Sequence, residues 1–258
     1  MNTLDPGAFP PWQLAALVLA VAFLYSSVGF GGASGYLAAM SLFALSVNFM
    51  ASTALVLNVL VASIAFAAYL RAGHFQMRLL APFLLGSLPA SFLGGYIHVE
   101  DAVYRTLLYL ALTYLGIRLL MGNGLPVEGK RAPARPSWAW MLIGGAGIGL
   151  LSGILGLGGG IFLSPLIVLA EWGTPKQAAA SSAGFIVVNS VSALLGRMVG
   201  GNFVFGAMGA ALLPVGLVGA LAGSRLGARR LSGPALRRLL GVILLLAAGR
   251  FFVVQIMG

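Results

Sequence analysis

Apolar residues run along this chain in blocks too long and too continuous for a half-buried strand or an amphipathic surface helix. The first block runs from Trp12 to about Val47. Further runs follow near Met50–Leu70, Leu79–Ile97 and Ala102–Met121, separated by short gaps of charged and turn residues. A polar stretch, Gly122 to Ser137, then intervenes with Pro126, Pro133 and Pro136 among Lys130, Arg131 and Arg135. Beyond it the order repeats, with a long block from Trp138 to Leu169 and runs near Gln177–Val199, Phe205–Ser224 and Leu236–Met257. The pattern predicts an all-α polytopic membrane protein in one transmembrane domain, with a first repeat over 12–121, a linker over 122–137 and a second repeat over 138–257.

The two long blocks carry most of the information. As a single helix, Trp12–Val47 would extend about 54 Å, far beyond a hydrocarbon core of ~30 Å, so it must bend or break. Both blocks hold a glycine cluster at the corresponding place, Gly29-Phe30-Gly31-Gly32 and Gly156-Leu157-Gly158-Gly159-Gly160, offset by 127 residues. Asn58 pairs with Asn189 at an offset of 131, and Gly73 with Gly201 at 128. Each half therefore reads as a glycine-tipped helical hairpin followed by three spans.

Composition and charge refine this picture. The chain has 258 residues, is 60% apolar and only 8% charged, a balance that lipid rather than water accommodates. Its net charge of +10 comes from basic residues in the gaps between apolar blocks, which argues for membrane orientation rather than nucleic acid. A hairpin plus three spans inverts the second half. Arg71, Arg78, Arg118, the linker cations, Lys176 and the cluster Arg225, Arg229, Arg230, Arg237 and Arg238 then share one face, leaving only Arg105, Arg197 and Arg250 opposite. If each long block crossed once, that bias would collapse, so charge selects inverted repeats, a cytoplasmic linker and two periplasmic termini. Full-length and re-entrant hairpin arms give the same sidedness and remain equal alternatives. The N-terminal residues Met1 to Pro11 lack a basic region and contain Asp5, unlike a cleavable signal peptide. Cysteine is absent, which excludes disulfides and thiolate metal sites.

Broken helices at matching places in inverted repeats line substrate sites in secondary transporters. A helix that starts inside the membrane offers free N–H groups and the positive end of its dipole, both suited to an anion. The candidate substrate-binding residues are Ser26, Ser27, Gly29, Gly31, Gly32 and Ser34 at the first break and Gly156, Gly158, Gly159 and Gly160 at the second, with Ser152 nearby. Ser52, Thr53 and Asn58, then Ser181, Ser182 and Asn189, form a second group behind the hairpins. The competing reading makes the glycines a means of close helix packing and the two asparagines helix bridges. Arg197, near a span end, is expected to snorkel to the outer interface, and His74 to sit in a solvated loop.

All five acidic residues, Asp5, Glu100, Asp101, Glu128 and Glu171, fall in the tail, loops or linker. Cation carriers and carboxylate proton relays place such groups inside the membrane, so an anionic substrate is favoured. No nucleotide-binding loop is present, and no metal or cofactor is called for, so a gradient drives transport and leaves room for a coupling proton or other ion.

The pairing of GFGGASG (29–35) with GLGGGIF (156–162), and the stretches ASTALVLNVLVAS and SSAGFIVVNSVSALLGR, resemble the sulfite exporter TauE/SafE-type family of bacterial membrane permeases, from about Gln13 to Phe252. The resemblance implies movement of small sulfur-containing anions, such as sulfite, sulfoacetate or other organosulfonates, across a bacterial inner membrane, and the leading expectation is outward transport. Ala33 stands where the second half has Gly160, and Ser52-Thr53 where it has Ala183-Gly184, which predicts unequal half-sites. A carrier of another small anion or a neutral metabolite on the same scaffold is the alternative, with a membrane enzyme or assembly factor the more distant one.

Overall fold

The computed structural model describes residues 10–27, 30–43, 45–121, 137–170 and 172–227, with three isolated positions at 242, 245 and 249. Gly29, Glu171, the linker 122–136, most of the C-terminal arginine cluster and the final expected span lie outside the described residues. Among the described residues there are nine helices and no strand: α1 (Trp12–Ser27), α2 (Ala33–Ser41), α3 (Val47–Arg71), α4 (Met77–Tyr96), α5 (Asp101–Met121), α6 (Trp138–Leu155), α7 (Gly160–Leu169), α8 (Pro175–Val199) and α9 (Gly206–Gly227). Five of them, α3, α4, α6, α8 and α9, are long and apolar enough to cross a membrane. The expected run Ala102–Met121 forms α5, which is of spanning length but carries Asp101, Arg105 and Arg118 and is not among the five.

Local chemistry sets the helix ends. Ser46 accepts a hydrogen bond from the Phe49 N–H (3.4 Å) to open α3, while Thr174 and Gln177 form a reciprocal capping box ahead of α8, with Pro175 at the first helical position. α3 and α8 are each 25 residues long and end alike. Gly73 (φ 73°) and Gly201 (φ 71°) take the left-handed conformation, and the next N–H groups, of His74 and Asn202, return to the carbonyls of Tyr69 and Arg197.

Each long apolar block breaks at its glycine cluster and doubles back. Gly35 of α2 lies against Val21 and Tyr25 of α1; Gly159 lies against Ser152 and Ile148 of α6, and Gly144 faces Leu166 of α7. The arms are unequal. α1 and α6 have 16 and 18 residues, whereas the return arms α2 and α7 have 9 and 10, about 14–15 Å each and half a hydrocarbon core.

Packing exchanges partners between the halves. α1 packs along α9, where Gly219 meets Leu19 and Gly223 meets Phe23, so the two run parallel. α6 packs along α4 in the same sense, with Gly145, Gly149 and Gly153 against the carbonyls of Phe83, Ser87 and Ser91, and Gly86 and Gly94 against those of Leu142 and Leu150. Gly95, Gly196 and Gly200 bring α4 equally close to α8. These glycines do what the packing alternative assigned to the hairpin glycines: they let backbones touch where a methyl group would collide with a carbonyl. α3 and α8 cross at the centre in opposite directions. Ser52 meets Val204 beyond the end of α8, Asn58 meets Ser190 at Gly158, and Phe66 meets Gly184.

Candidate functional site

The two glycine turns converge on one side chain, Asn58, in the middle of α3. Its amide nitrogen donates to the Leu157 carbonyl in the second turn (3.3 Å), while a Cβ on Gly31 in the first turn would sit 2.6 Å from its Oδ1. Asn58 is fully buried, and its Oδ1 has no hydrogen-bond partner. On the second turn, a Cβ on Gly158 would lie 2.6 Å from the Asn58 amide nitrogen and 3.0 Å from the Ser190 hydroxyl, with Ile186 behind. Between the turns is a cavity of about 10 Å³, room for one water, bounded by Tyr25, Phe30, Gly31, Gly32, Ser34 and Asn58 with Leu157, Ile161 and Ile186 opposite. The turns are closed on each other.

Helix starts aim at this point. α2 begins at Gly32, which takes φ 96° and supplies no side-chain cap, so the first-turn N–H groups of Ala33, Ser34 and Gly35 have no partner within the helix. The Ser34 hydroxyl pairs with the Tyr25 hydroxyl at 2.7 Å. The Tyr36 hydroxyl, fully buried, comes within 2.9 Å of where a Gly32 Cβ would stand and has no partner. In the second half, Gly158 (φ 70°) and Gly159 (φ 77°) turn the chain into α7, whose first residue, Gly160, presses on Ile186 and the Ser182 carbonyl.

The remaining expected residues divide clearly. Ser26 spends its hydroxyl on the carbonyls of Phe23 (3.2 Å) and Ala220 (3.0 Å), tying α1 to α9. Ser52 accepts from the Val204 N–H (3.3 Å). Thr53, Ser181 and Ser182 are buried with unpartnered hydroxyls and do not border the cavity. Asn189 donates to the Phe185 carbonyl of its own helix (2.9 Å), so it does not answer Asn58 symmetrically. Gly156 (φ 79°) ends α6 against Ala51. Gly29 and the side chain of Ser27 lie outside the described residues.

One expectation is overturned. Arg197 does not snorkel: it is 4% exposed and donates to the α6 carbonyls of Ile154 (2.7 Å) and Gly153 (3.4 Å), while the Tyr104 hydroxyl takes the Leu155 carbonyl (3.0 Å). A cation at a helix C-terminus meets both the unspent carbonyls and the negative dipole end, which holds the side chain inward. Asn202 treats α4 in the same way, donating to the carbonyls of Gly95, Tyr96 and Ile97.

Tyr25, Tyr36 and Ser190 were not anticipated. The tyrosines are indistinguishable from apolar filling inside an apolar run; the available signal was Tyr36 standing one helical turn after Gly32.

Two turns thus meet at a buried amide inside an apolar bundle. The model of the sulfite exporter TauE/SafE family matches residues 14–251. The chain belongs to that family. It is 37% identical over 238 residues to a probable membrane transporter protein, y4hK, of Sinorhizobium fredii (strain NBRC 101917 / NGR234), across 91% of this chain and 95% of the relative. No solved structure matches. As a TauE/SafE chain with five apolar helices of spanning length, it is a multi-pass membrane transporter.

Proposed function

We propose that the chain is a gradient-driven exporter of small sulfur-containing anions, such as sulfite, sulfoacetate or other organosulfonates, across the bacterial inner membrane. The observation that carries this reading is the meeting of both glycine turns at Asn58, where the start of α2 and the Tyr25–Ser34 hydroxyl pair border a small cavity with no carboxylate among its described lining residues. Positive helix ends and neutral donors suit an anion and repel a cation. The binding positions of this reading are Gly31, Gly32, Ser34 and Asn58 at the cavity, with Tyr25 added, and Gly158, Gly160, Tyr36 and Ser190 packed against its walls.

The halves 12–121 and 138–257 are oppositely oriented repeats joined by a cytoplasmic linker, with both termini periplasmic. The antiparallel crossing of α3 and α8 supports this, because corresponding helices that run in opposite directions relate by an axis in the membrane plane. So does the exchange of α1 on α9 for α6 on α4. Purified protein titrated with sulfite, sulfonates and thiosulfate should gain thermal stability with at least one of them. If all three fail and a cation succeeds, the reading is lost.

A further inference from the structure

Among the described residues, Asn58 presents a feature of the site that a fully deprotonated anion cannot satisfy. The Leu157 carbonyl can only accept, so the Asn58 atom facing it at 3.3 Å is the nitrogen, and the orientation of the amide is fixed. Oδ1 therefore faces Gly31 in the first turn, fully buried and unpartnered, and it has no hydrogen to give. Among the described residues bordering the cavity, the first-turn N–H groups of α2 and the Tyr25–Ser34 hydroxyl pair are donors or can be, and the Tyr36 hydroxyl lies beside Gly32 at its edge. A ligand that satisfies both sets needs negative oxygens for the donors and one hydrogen of its own for Oδ1, since a buried acceptor left unmet costs binding energy.

We infer that the site selects the hydrogen-bearing monoanion of a sulfur oxyacid, hydrogen sulfite in the simplest case, over aprotic sulfonates and over the dianion. This rests on the export reading and narrows it. It also assigns the proton. The titratable groups facing the turns are Tyr25 of α1 and Tyr36 of α2, with Tyr104 of α5 and Arg197 of α8 at the α6 end. Among the described residues Glu100 and the imidazoles of His74 and His98 lie between helices, Asp101 opens α5, and none of them borders the cavity, so no side chain lining it carries a proton on and off near neutral pH. The proton crosses on the ligand, and the transported species is a monoanion with its hydrogen bound at Asn58.

The experiment uses the full chain in detergent and compares sulfite with methanesulfonate, a sulfur oxyanion of the same single charge that has acceptor oxygens and no acidic hydrogen. At a pH where hydrogen sulfite dominates, its affinity should exceed that of methanesulfonate by about tenfold. Sulfite affinity should then fall about tenfold per pH unit above the ligand's own second ionisation, while methanesulfonate affinity stays flat. In Asn58→Leu, close in shape, the preference should collapse towards unity. Equal binding of the two anions, a sulfite affinity independent of pH, or an undiminished preference in the variant means that Oδ1 is served by water and overturns the inference, while leaving the export reading in place. Binding of neither anion overturns both.

Discussion

Replacing Tyr36 with Phe separates the needs of folding from those of ligand binding. The Tyr36 hydroxyl is wholly buried at the start of α2 and has no partner, so the empty protein bears its desolvation without return, about 1–3 kcal/mol. Phe keeps the ring that packs under Gly32 and removes only the oxygen. The empty variant should therefore be more stable, by about 1 kcal/mol or more, which for a chain of this size raises Tm by roughly 2–4 °C per kcal/mol. Anion affinity should move the other way. A hydrogen bond to a charged group is worth about 1.5–3 kcal/mol, so its loss weakens binding by about one to two orders of magnitude. Thermal unfolding of purified wild type and variant, with and without sulfite, reads both quantities. A lower Tm in the empty variant, or an unchanged sulfite affinity, refutes the argument, because the hydroxyl would then serve the fold and not the ligand. The opposed signs matter, since most substitutions in a packed interior lower both together.

Other substitutions test other parts. Arg197→Met should lower stability by about 1–3 kcal/mol, because it strips the α6 carbonyls of Gly153 and Ile154 of their donor; Arg197→Lys, which keeps the charge and loses the planar fork, should fall between, as read by thermal unfolding in detergent. Gly158→Ala forces a side chain onto a backbone at φ 70° and onto the Asn58 amide, so transport in proteoliposomes should be lost, whereas Gly147→Ala, whose added methyl meets nothing within 4 Å, should transport normally. Because the chain has no cysteine, single cysteines placed at Lys130 and Gly258 report sidedness directly. Membrane-impermeant labelling should find them on opposite faces, and labelling on the same face removes the inverted arrangement.

Much of the architecture could be read from the chain because lipid imposes one-dimensional rules. Run length, the position of glycine clusters and the placement of cations between runs located α3, α4, α5, α8 and α9 to within a few residues. Charge parity is blind to depth, so it could not tell that α2 and α7 return as half-length arms. Asn58 was legible as an amide in an apolar run. Its inequality with Asn189 was not, since the difference is made by Leu157, 99 residues away in sequence, and by a local bond to Phe185. Arg197 was misread for a related reason. At a span end the default partner of a guanidinium is water, and only the fold brings the end of α6 to it. Ser26 and Ser52 show the converse, hydroxyls near the breaks that tertiary neighbours had already claimed.

The exchange of partners between halves also sets an order of events during synthesis. α1 is made well before α9, yet the surface it packs against belongs to α9; Leu19 must await Gly219, 200 residues later. At ribosomal rates of about 5–20 residues per second, that interval is roughly 10–40 s. Through it α1 stands in lipid with its α9-facing side uncovered, and the polar Ser26 waits for the Ala220 carbonyl. A ribosome halted at the linker would thus leave a first half whose hairpin lacks its packing partner, an inviting target for membrane quality control. Co-expression of separate halves should restore that missing surface and lengthen the lifetime of the first.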